Sequence, residues 1–176
     1  ARHRRGRSHG RIAMLGTWNI SCGIGEHSAH LADAFEAEGF EPLVLGNDPA
    51  GHEPLGFERE LHHPVARVWH WDNQYWRDSR IDIDQLKRVL SLARPDLLLI
   101  QHHSAFIPDY DVGEAVRCAR EAGVPVLIEM HDGRKLSVAR KQAMVDLGAT
   151  LVAHHADELV GLAAGRQAQV LPLPLL

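Results

Sequence analysis

Residues 11–47 read RIAMLGTWNISCGIGEHSAHLADAFEAEGFEPLVLGN, and this stretch decides the fold. A short apolar run at 12–15 ends at a glycine, which is typical of a buried parallel strand. Apolar and small residues then recur at helical spacing as far as Gly39, where a left-handed helix cap is expected. A second apolar run follows at 43–45. Strand, crossover helix and strand in this order predict a right-handed βαβ unit.

The same alternation continues to the end of the chain. Further strands are predicted at 65–69, 97–100, 126–128, 151–153 and 170–171, and further helices at 83–93, 111–119, 137–147 and 155–164. Asp111 and Glu114 have the spacing of a capping box that would open the helix at 111–119. Six or seven strands alternating with helices predict an α/β fold, a Rossmann-like doubly wound and mostly parallel sheet with helices on both faces.

Length and composition indicate one domain. The chain has 176 residues, of which 45% are hydrophobic and 24% charged, and no apolar run approaches the roughly 20 residues that span a bilayer.

The positive charge is concentrated at the start of the chain. Residues 1–10 contain four arginines, although the whole chain has a net charge of −4. We interpret residues 1–10 as a basic, disordered leader before a domain at 11–176. An acidic body without a recognisable motif argues against nucleic-acid binding. Only two cysteines are present, which favours a reducing, cytoplasmic compartment.

In an open parallel sheet, ligands bind outside the carboxyl ends of the strands. Polar or glycine-rich segments follow three of the predicted strands and should therefore converge. They are the loop with Gly23, Ile24, Gly25 and Glu26, the group Gln101, His102, His103 and Ser104, and the group His131, Asp132 and Gly133.

The glycine loop precedes a helix, where backbone N–H groups can face an anion. No Gly-Lys-Ser/Thr follows, which excludes a P-loop. Residues 23–28 nearly match the dinucleotide motif G-x-G-x-x-G, but that motif needs its first glycine at the strand end, where Gly16 stands, and Trp18 replaces the second. An NAD-type domain is therefore the less favoured alternative. The glycines also fit a tight turn without a ligand, and Glu26 fits the positive end of a helix as well as an acceptor contact.

Thirteen histidines raise the question of a metal. The adjacent pairs are His62-His63, His102-His103 and His154-His155. Adjacent residues on a strand point to opposite faces, so such pairs are not expected to share an ion.

Aromatic residues concentrate at 69–76, and there Trp71 and Trp76 could stack against a sugar or an apolar acceptor. A hydrophobic cluster under a long loop is the favoured interpretation of these aromatic side chains.

Taken in order, these segments resemble the amino-terminal half of GT-B fold glycosyltransferases of the large retaining group called family 4. The similar segments are 17–26 followed by His30-Leu31-Ala32 and Gly39, then 95–102, 123–126, 130–132, 155–160 and 170–174. The sequence departs from the family pattern in Gly133-Arg134-Lys135 after the histidine, and in Pro172-Leu173-Pro174, where many relatives have histidine-glycine or asparagine-glycine.

The resemblance implies two Rossmann-like domains facing a cleft, the first mainly for the acceptor and the second for the nucleotide sugar. This chain corresponds to the first, ends at the interdomain linker, and needs a C-terminal donor-binding domain for activity. Gly23 and Gly25 would approach the donor diphosphate, and His131 would contact the donor sugar, with Asp132 able to fix its tautomer. The implied substrates are a nucleotide-diphosphate sugar and a sugar or glycolipid acceptor, without metal or cofactor. A non-catalytic binding module of the same fold is the main alternative.

Overall fold

The computed structural model describes residues 8–48, 62–70, 79–162 and 168–171. Most of the basic leader and of the excursion at 49–64 lies outside these ranges, as do Trp71 and Trp76. The expectations for those residues therefore stay predictions.

Strands and helices alternate through the described residues. They are β1 (Arg11–Leu15), α1 (Gly23–Ala37), β2 (Glu41–Asn47), β3 (Val65–His70), β4 (Arg80–Ile81), α2 (Ile83–Ala93), β5 (Leu97–His102), α3 (Asp109–Glu121), β6 (Val126–Met130), α4 (Val138–Asp146), β7 (Thr150–Ala153) and β8 (Ala168–Val170), with short 3₁₀ turns at Gly133–Lys135 and Ala156–Leu159. None of the helices in this part of the chain has the length and apolarity needed to cross a membrane.

The strands form one sheet in the order β4-β3-β2-β1-β5-β6-β7-β8. Neighbouring strands are parallel except β3 and β4, which are antiparallel. This confirms the predicted α/β architecture, with eight strands in the described part of the chain instead of six or seven. The two-residue β4 is too short for its alternation to show in the sequence. After β1 the chain builds β2 and β3 on one side and then β5 on the other, so the direction of winding changes beside β1.

Helices cover both faces of the sheet, as predicted. Successive residues of a strand point to opposite faces, and β1 shows this clearly. Ile12 and Met14 belong to one buried cluster, which contains Ala29 and Ala32 of α1. Ala13 and Leu15 belong to a larger cluster that includes buried residues of α2, α3 and α4. The central strand therefore contributes to two cores.

Two predicted helix boundaries are wrong. Asp111 does not open a capping box, because α3 already begins at Asp109 after Pro108. The Asp111 carboxylate is instead buried and accepts a hydrogen bond from the backbone N–H of Ile81 at 2.9 Å. The helix predicted at 155–164 is only the 3₁₀ turn Ala156–Leu159 in the described residues. Gly161 follows it with a φ of +85°, which an α-helix does not accommodate.

Candidate functional site

The carboxyl ends of β1, β5 and β6 lie side by side, because β5 pairs with both neighbours in parallel. The polar segments predicted to converge are therefore brought together at one edge. β5 is longer than predicted, so that Gln101 and His102 are its last two residues and do not follow it. In register, Gln101 stands opposite Glu129 of β6.

The glycine loop is anchored by neighbouring strands. The Trp18 backbone N–H donates to Asn47 Oδ1 at 2.8 Å, and the indole N–H of Trp69 donates to the carbonyl of Gly16 at 3.0 Å. Trp69 is thus a core residue of β3, buried to 3% exposure. These contacts hold the loop against the ends of β2 and β3 before the chain enters α1.

The two glycines of the loop differ in environment. Both lie in the first turn of α1, where Cys22 is the N-cap. The Gly25 N–H donates to Cys22 Sγ at 3.2 Å, which contradicts the expectation that this amide is free to face an anion. A Cβ on Gly25 would also lie 2.8 Å from the Ile20 carbonyl oxygen, whereas one on Gly23 would meet nothing within 4 Å. Gly25 is needed for packing, and Gly23 faces open space.

A buried carboxylate, Glu129, organises the edge next to α1. Its Oε1 lies 3.1 Å from His27 Nε2 and 3.2 Å from His154 Nε2. Its Oε2 accepts a hydrogen bond from the Gln101 side-chain N–H at 2.6 Å. Glu129 thereby joins β6 to α1, to β5 and to the residue that follows β7.

His131 extends this network. Its Nε2 forms a short hydrogen bond with Gln101 Oε1. Because the Gln101 amide nitrogen already donates to Glu129, Oε1 is the acceptor and His131 carries its proton on Nε2. The ring centroids of His27 and His154 lie 5.3 and 5.7 Å from that of His131. Glu129, Gln101 and three histidines thus form one connected cluster.

Burial and hydrogen bonding set the charges of this cluster. Burial lowers the pKa of His131 from 6.5 to about 4, so the ring is neutral near pH 7. The hydrogen bond with Glu129 raises the pKa of His27 above its ordinary value. Burial alone would raise the pKa of Glu129, but the hydrogen bonds from His27 and Gln101 outweigh it and hold that pKa below its usual range. The Glu129 carboxylate is therefore ionised and the His131 ring neutral, while His27 binds a proton more readily than an ordinary histidine.

Asp132 does not contact His131 as expected. Its carboxylate is buried and accepts hydrogen bonds from the backbone N–H and the hydroxyl of Ser104. It also lies 3.9 Å from His103 Nδ1. The tautomer of His131 is therefore set by Gln101, while Asp132 shapes the turn after β5. His103 remains 22% exposed in its side chain and is accessible to a ligand.

His102 is not accessible, which contradicts its predicted role as a ligand contact. Its side chain is fully buried, and its Nε2 lies 3.2 Å from Asp109 Oδ1. Arg140 Nη1 lies 2.7 Å from the other carboxylate oxygen of Asp109. His102 therefore ties β5 to α3 and α4 and serves the fold.

Two groups of side chains in the described residues have donor atoms close enough to hold a metal ion. His27, Glu129 and His131 form one, and Asp33, His62 and His63 form the other. His62 and His63 precede β3 and are not on a strand, so the expectation that adjacent histidines diverge is wrong for this pair. Their Nε2 atoms lie 3.7 and 2.8 Å from Asp33 Oδ1. The first group comes from separate elements, which the search for adjacent pairs misses.

Comparison with known proteins gives the family. A family model described as a glycosyl transferase 4-like domain matches residues 22–173. The chain belongs to the glycosyl transferase 4-like domain family. The resemblance to family 4-like GT-B glycosyltransferases seen in the sequence is thereby confirmed. No curated protein matches the chain significantly.

Two solved structures are similar to this glycosyl transferase 4-like domain. MurG of Acinetobacter baumannii superimposes with a TM-score of 0.59 and 12% identity over 92% of this chain and 44% of that one. An alpha-glucosyltransferase, solved in complex with UDP and a 13-mer DNA containing a central A:G mismatch, gives a TM-score of 0.50 and 13% identity over 92% and 40%. The likeness shows the fold, and the domain spans less than half of either protein.

Three residues of the cluster were missed in the sequence of this glycosyl transferase 4-like domain. Glu129 carried a signal, since it is the charged residue inside the apolar strand VLIEM. His154 directly follows β7, so the rule that identified His131 would have identified it too. His27 lies on α1 beyond the glycines, and only the packing of that helix against β6 reveals it.

Proposed function

We propose that the chain is the acceptor-side domain of a retaining glycosyltransferase, which transfers a sugar from a nucleotide-diphosphate sugar to an acceptor. The family match over residues 22–173 supports the transferase class. Since the chain spans less than half of the structures it resembles, we propose the activity for the full gene product. A C-terminal donor-binding domain would be its partner, and the 176-residue chain alone would be inactive.

The observation that carries the proposal is the meeting of the α1 N-terminus with a neutral imidazole. The first turn of a helix presents unpaired N–H groups and a partial positive charge, which suit a diphosphate. α1 is a 15-residue helix whose first turn begins with Gly23, and a side chain at Gly23 would meet nothing within 4 Å. His27 of the same helix stacks edge-on to His131 at 5.3 Å. A diphosphate on the helix would thus place its sugar towards His131.

In the proposed reaction, charge develops on the departing diphosphate. Backbone amides at the start of α1 would stabilise that charge together with cationic side chains of the second domain. His131, held by Gln101, would hydrogen-bond to the donor sugar near the reacting carbon. Glu26 and His103 are the proposed acceptor contacts, the acceptor being a sugar or a glycolipid. The transfer itself would need neither a metal ion nor an organic cofactor, and we propose a cytoplasmic location.

The test uses the full gene product with a panel of nucleotide-diphosphate sugars and of sugar and glycolipid acceptors, and measures release of the nucleoside diphosphate. His131→Ala is expected to lower the rate by about a hundredfold or more, the usual contribution of a positioned proton-transfer or hydrogen-bonding group. The control is His30→Ala, an exposed histidine on α1. Absence of turnover with every donor would leave the binding-module interpretation. Binding of NAD would instead support the dinucleotide alternative.

A further inference from the structure

The side chains around Glu129 have the composition and spacing of a metal site. His27, Glu129 and His131 each offer one donor atom, and these three atoms lie within 4.8 Å of one another. Two ligands at about 2.0–2.1 Å from a tetrahedral zinc lie roughly 3.3 Å apart. The 3.1 Å separation of His27 Nε2 and Glu129 Oε1 is close to that edge.

His154 supplies an independent observation that points to a cation. Its Nδ1 lies 3.1 Å from the carbonyl oxygen of Leu171, and a carbonyl only accepts, so Nδ1 carries the proton. With Nδ1 engaged in this way, Nε2 is the ring nitrogen that faces Glu129 Oε1, at 3.2 Å. This Nε2 is buried without a hydrogen-bond partner among the described residues, and the side chain is 8% exposed. This buried polar atom is directed at the same carboxylate oxygen that faces His27.

The protons on the other rings are compatible with metal binding. His131 donates Nε2–H to Gln101, so the lone pair of the neutral ring is on Nδ1 and is available to an ion. Gln101 also donates to the Glu129 oxygen that does not face His27. Such outer hydrogen bonds are what orients histidine and carboxylate ligands in metal sites. At His27, an ion bound to Nε2 would replace the hydrogen bond that joins this atom to Glu129 Oε1.

We propose that His27, Glu129 and His131 bind one divalent transition-metal ion of the zinc class. Two imidazole nitrogens and one carboxylate oxygen are a donor set that zinc accepts, whereas calcium and magnesium prefer oxygen ligands only. Three protein ligands leave a further position for water or an anion. Since His131 is also the residue proposed to face the donor sugar, a bound ion would compete for its ring.

The proposal is tested on the 176-residue chain, freed of metal with a chelator and titrated with Zn²⁺ in competition with a chromophoric chelator. One equivalent is expected to bind, and Co²⁺ should give the visible absorption of a four-coordinate complex. Substitutions His27→Ala and Glu129→Gln are each expected to weaken Zn²⁺ binding by about a hundredfold or more, beyond the usual effect of an outer-shell change. His27 is partly exposed on α1, so its variant decides the question if Glu129→Gln does not fold.

Two controls locate the ion. His30→Ala removes an exposed histidine from the same helix and should leave the affinity unchanged. The double variant Asp33→Ala and His62→Ala removes the second group of donors and should retain one bound equivalent. The proposal is overturned if the wild-type chain binds no Zn²⁺, if His27→Ala binds it equally well, or if only the double variant loses it. No nucleotide sugar is present, so the outcome does not depend on the proposed transferase activity.

Discussion

At the scale of single residues, Gly23 and Gly25 make a matched pair two positions apart. A Cβ on Gly25 would lie 2.8 Å from the Ile20 carbonyl oxygen, a backbone atom that cannot move aside cheaply, while one on Gly23 would meet nothing within 4 Å. We expect Gly25→Ala to lower the free energy of unfolding by about 1–3 kcal/mol. Gly23→Ala should be neutral or stabilise by up to about 1 kcal/mol, because alanine favours helix over glycine. Urea denaturation of both variants measures the difference, and equal effects would contradict this assignment.

His131 is predicted to resist protonation. Its pKa is lowered from 6.5 to about 4 by burial, so the unfolded chain binds a proton in that interval more readily than the folded one. The contribution of His131 to stability therefore falls as the pH drops from 6.5 towards 4, by at most about 3 kcal/mol. His27, with a raised pKa, acts with opposite sign and loses its contribution as the pH rises through its folded pKa.

Ring NMR titration of the histidines checks this prediction directly. At about pH 5, the His131 ring of the folded chain should still be neutral, whereas the histidines of the urea-unfolded chain should be protonated, since an unperturbed histidine titrates near 6.5. His131→Gln should remove the part of the stability loss below pH 6.5 that is due to His131. Chemical denaturation over the same pH range measures this change. A His131 that titrates near 6.5 in the folded chain would refute the burial argument.

At the scale of elements, the sequence predicted those strands and helices that have a hydrophobic pattern of their own. The apolar runs of β1, β2, β5 and β6 were recognisable because parallel strands are buried on both faces, and Ser137 and Gly148 correctly framed α4. Elements without their own pattern were not predictable. β4 is a strand of only two residues, one of which, Ile81, pairs with Trp69 of β3. The Ile81 N–H also donates a hydrogen bond to the carboxylate of Asp111, which belongs to a different element. Such long-range partners leave no local signal.

The link between β5, α3 and α4 gives a prediction at this scale. Asp109 lies between His102 and Arg140, and the close contact with the His102 ring is the main reason its pKa is held below the ordinary value. Asp109→Asn should cost about 1–3 kcal/mol at pH 7, because the buried His102 ring loses its carboxylate partner. Because a lowered carboxyl pKa stabilises above the unfolded pKa of 3.8, the difference should shrink as the pH falls through the folded pKa.

A matched control for this link is Asp157→Asn. Asp157 pairs with Arg134 at 3.0 Å, but both side chains are mostly exposed, so the pair should contribute little. Chemical denaturation from pH 7 down to about pH 2 compares the two variants, because the difference is lost only below the unfolded pKa of 3.8. A loss for Asp109→Asn that equals the loss for Asp157→Asn would show that the buried link does not hold the elements together.

At the scale of the whole molecule, the meeting of the candidate segments at one edge was predictable, and the contacts among their side chains were only partly so. Parallel strands forced the segments after β1, β5 and β6 to one edge, which correctly brought Gln101 and His131 together. What the sequence concealed is which side chains face one another. His102 turns to Asp109, and Asp132 turns to Ser104. Glu129 contacts His27 of α1 and His154, the residue after β7. The spacing of these residues along the chain does not predict that they are in contact.

The two hydrophobic clusters found in residues 8–48, 62–70, 79–162 and 168–171 share one sheet, and we expect them to unfold together. Trp18 lies in the cluster beneath α1 and Trp69 in the cluster on the opposite face, so each tryptophan reports on one face. Leu86→Ala on α2 removes a fully buried side chain of the Trp69 cluster and should cost about 2–5 kcal/mol. Because β1 contributes to both clusters, the Trp18 transition should shift by the same amount as the Trp69 transition.

Variants that keep a single tryptophan, with the others replaced by phenylalanine, separate the two fluorescence signals during urea denaturation. Leu92→Ala on the same helix is the control, since Leu92 is 86% exposed and its truncation should change stability by less than about 0.5 kcal/mol. Coincident shifts of both probes would establish one cooperative unit, as parallel pairing of β1 with β2 and β5 requires. If Leu86→Ala leaves the unfolding transition reported by Trp18 unchanged, the face of the sheet that carries α1 unfolds on its own. The α1 end of the candidate site could then open while the rest of the sheet stays folded.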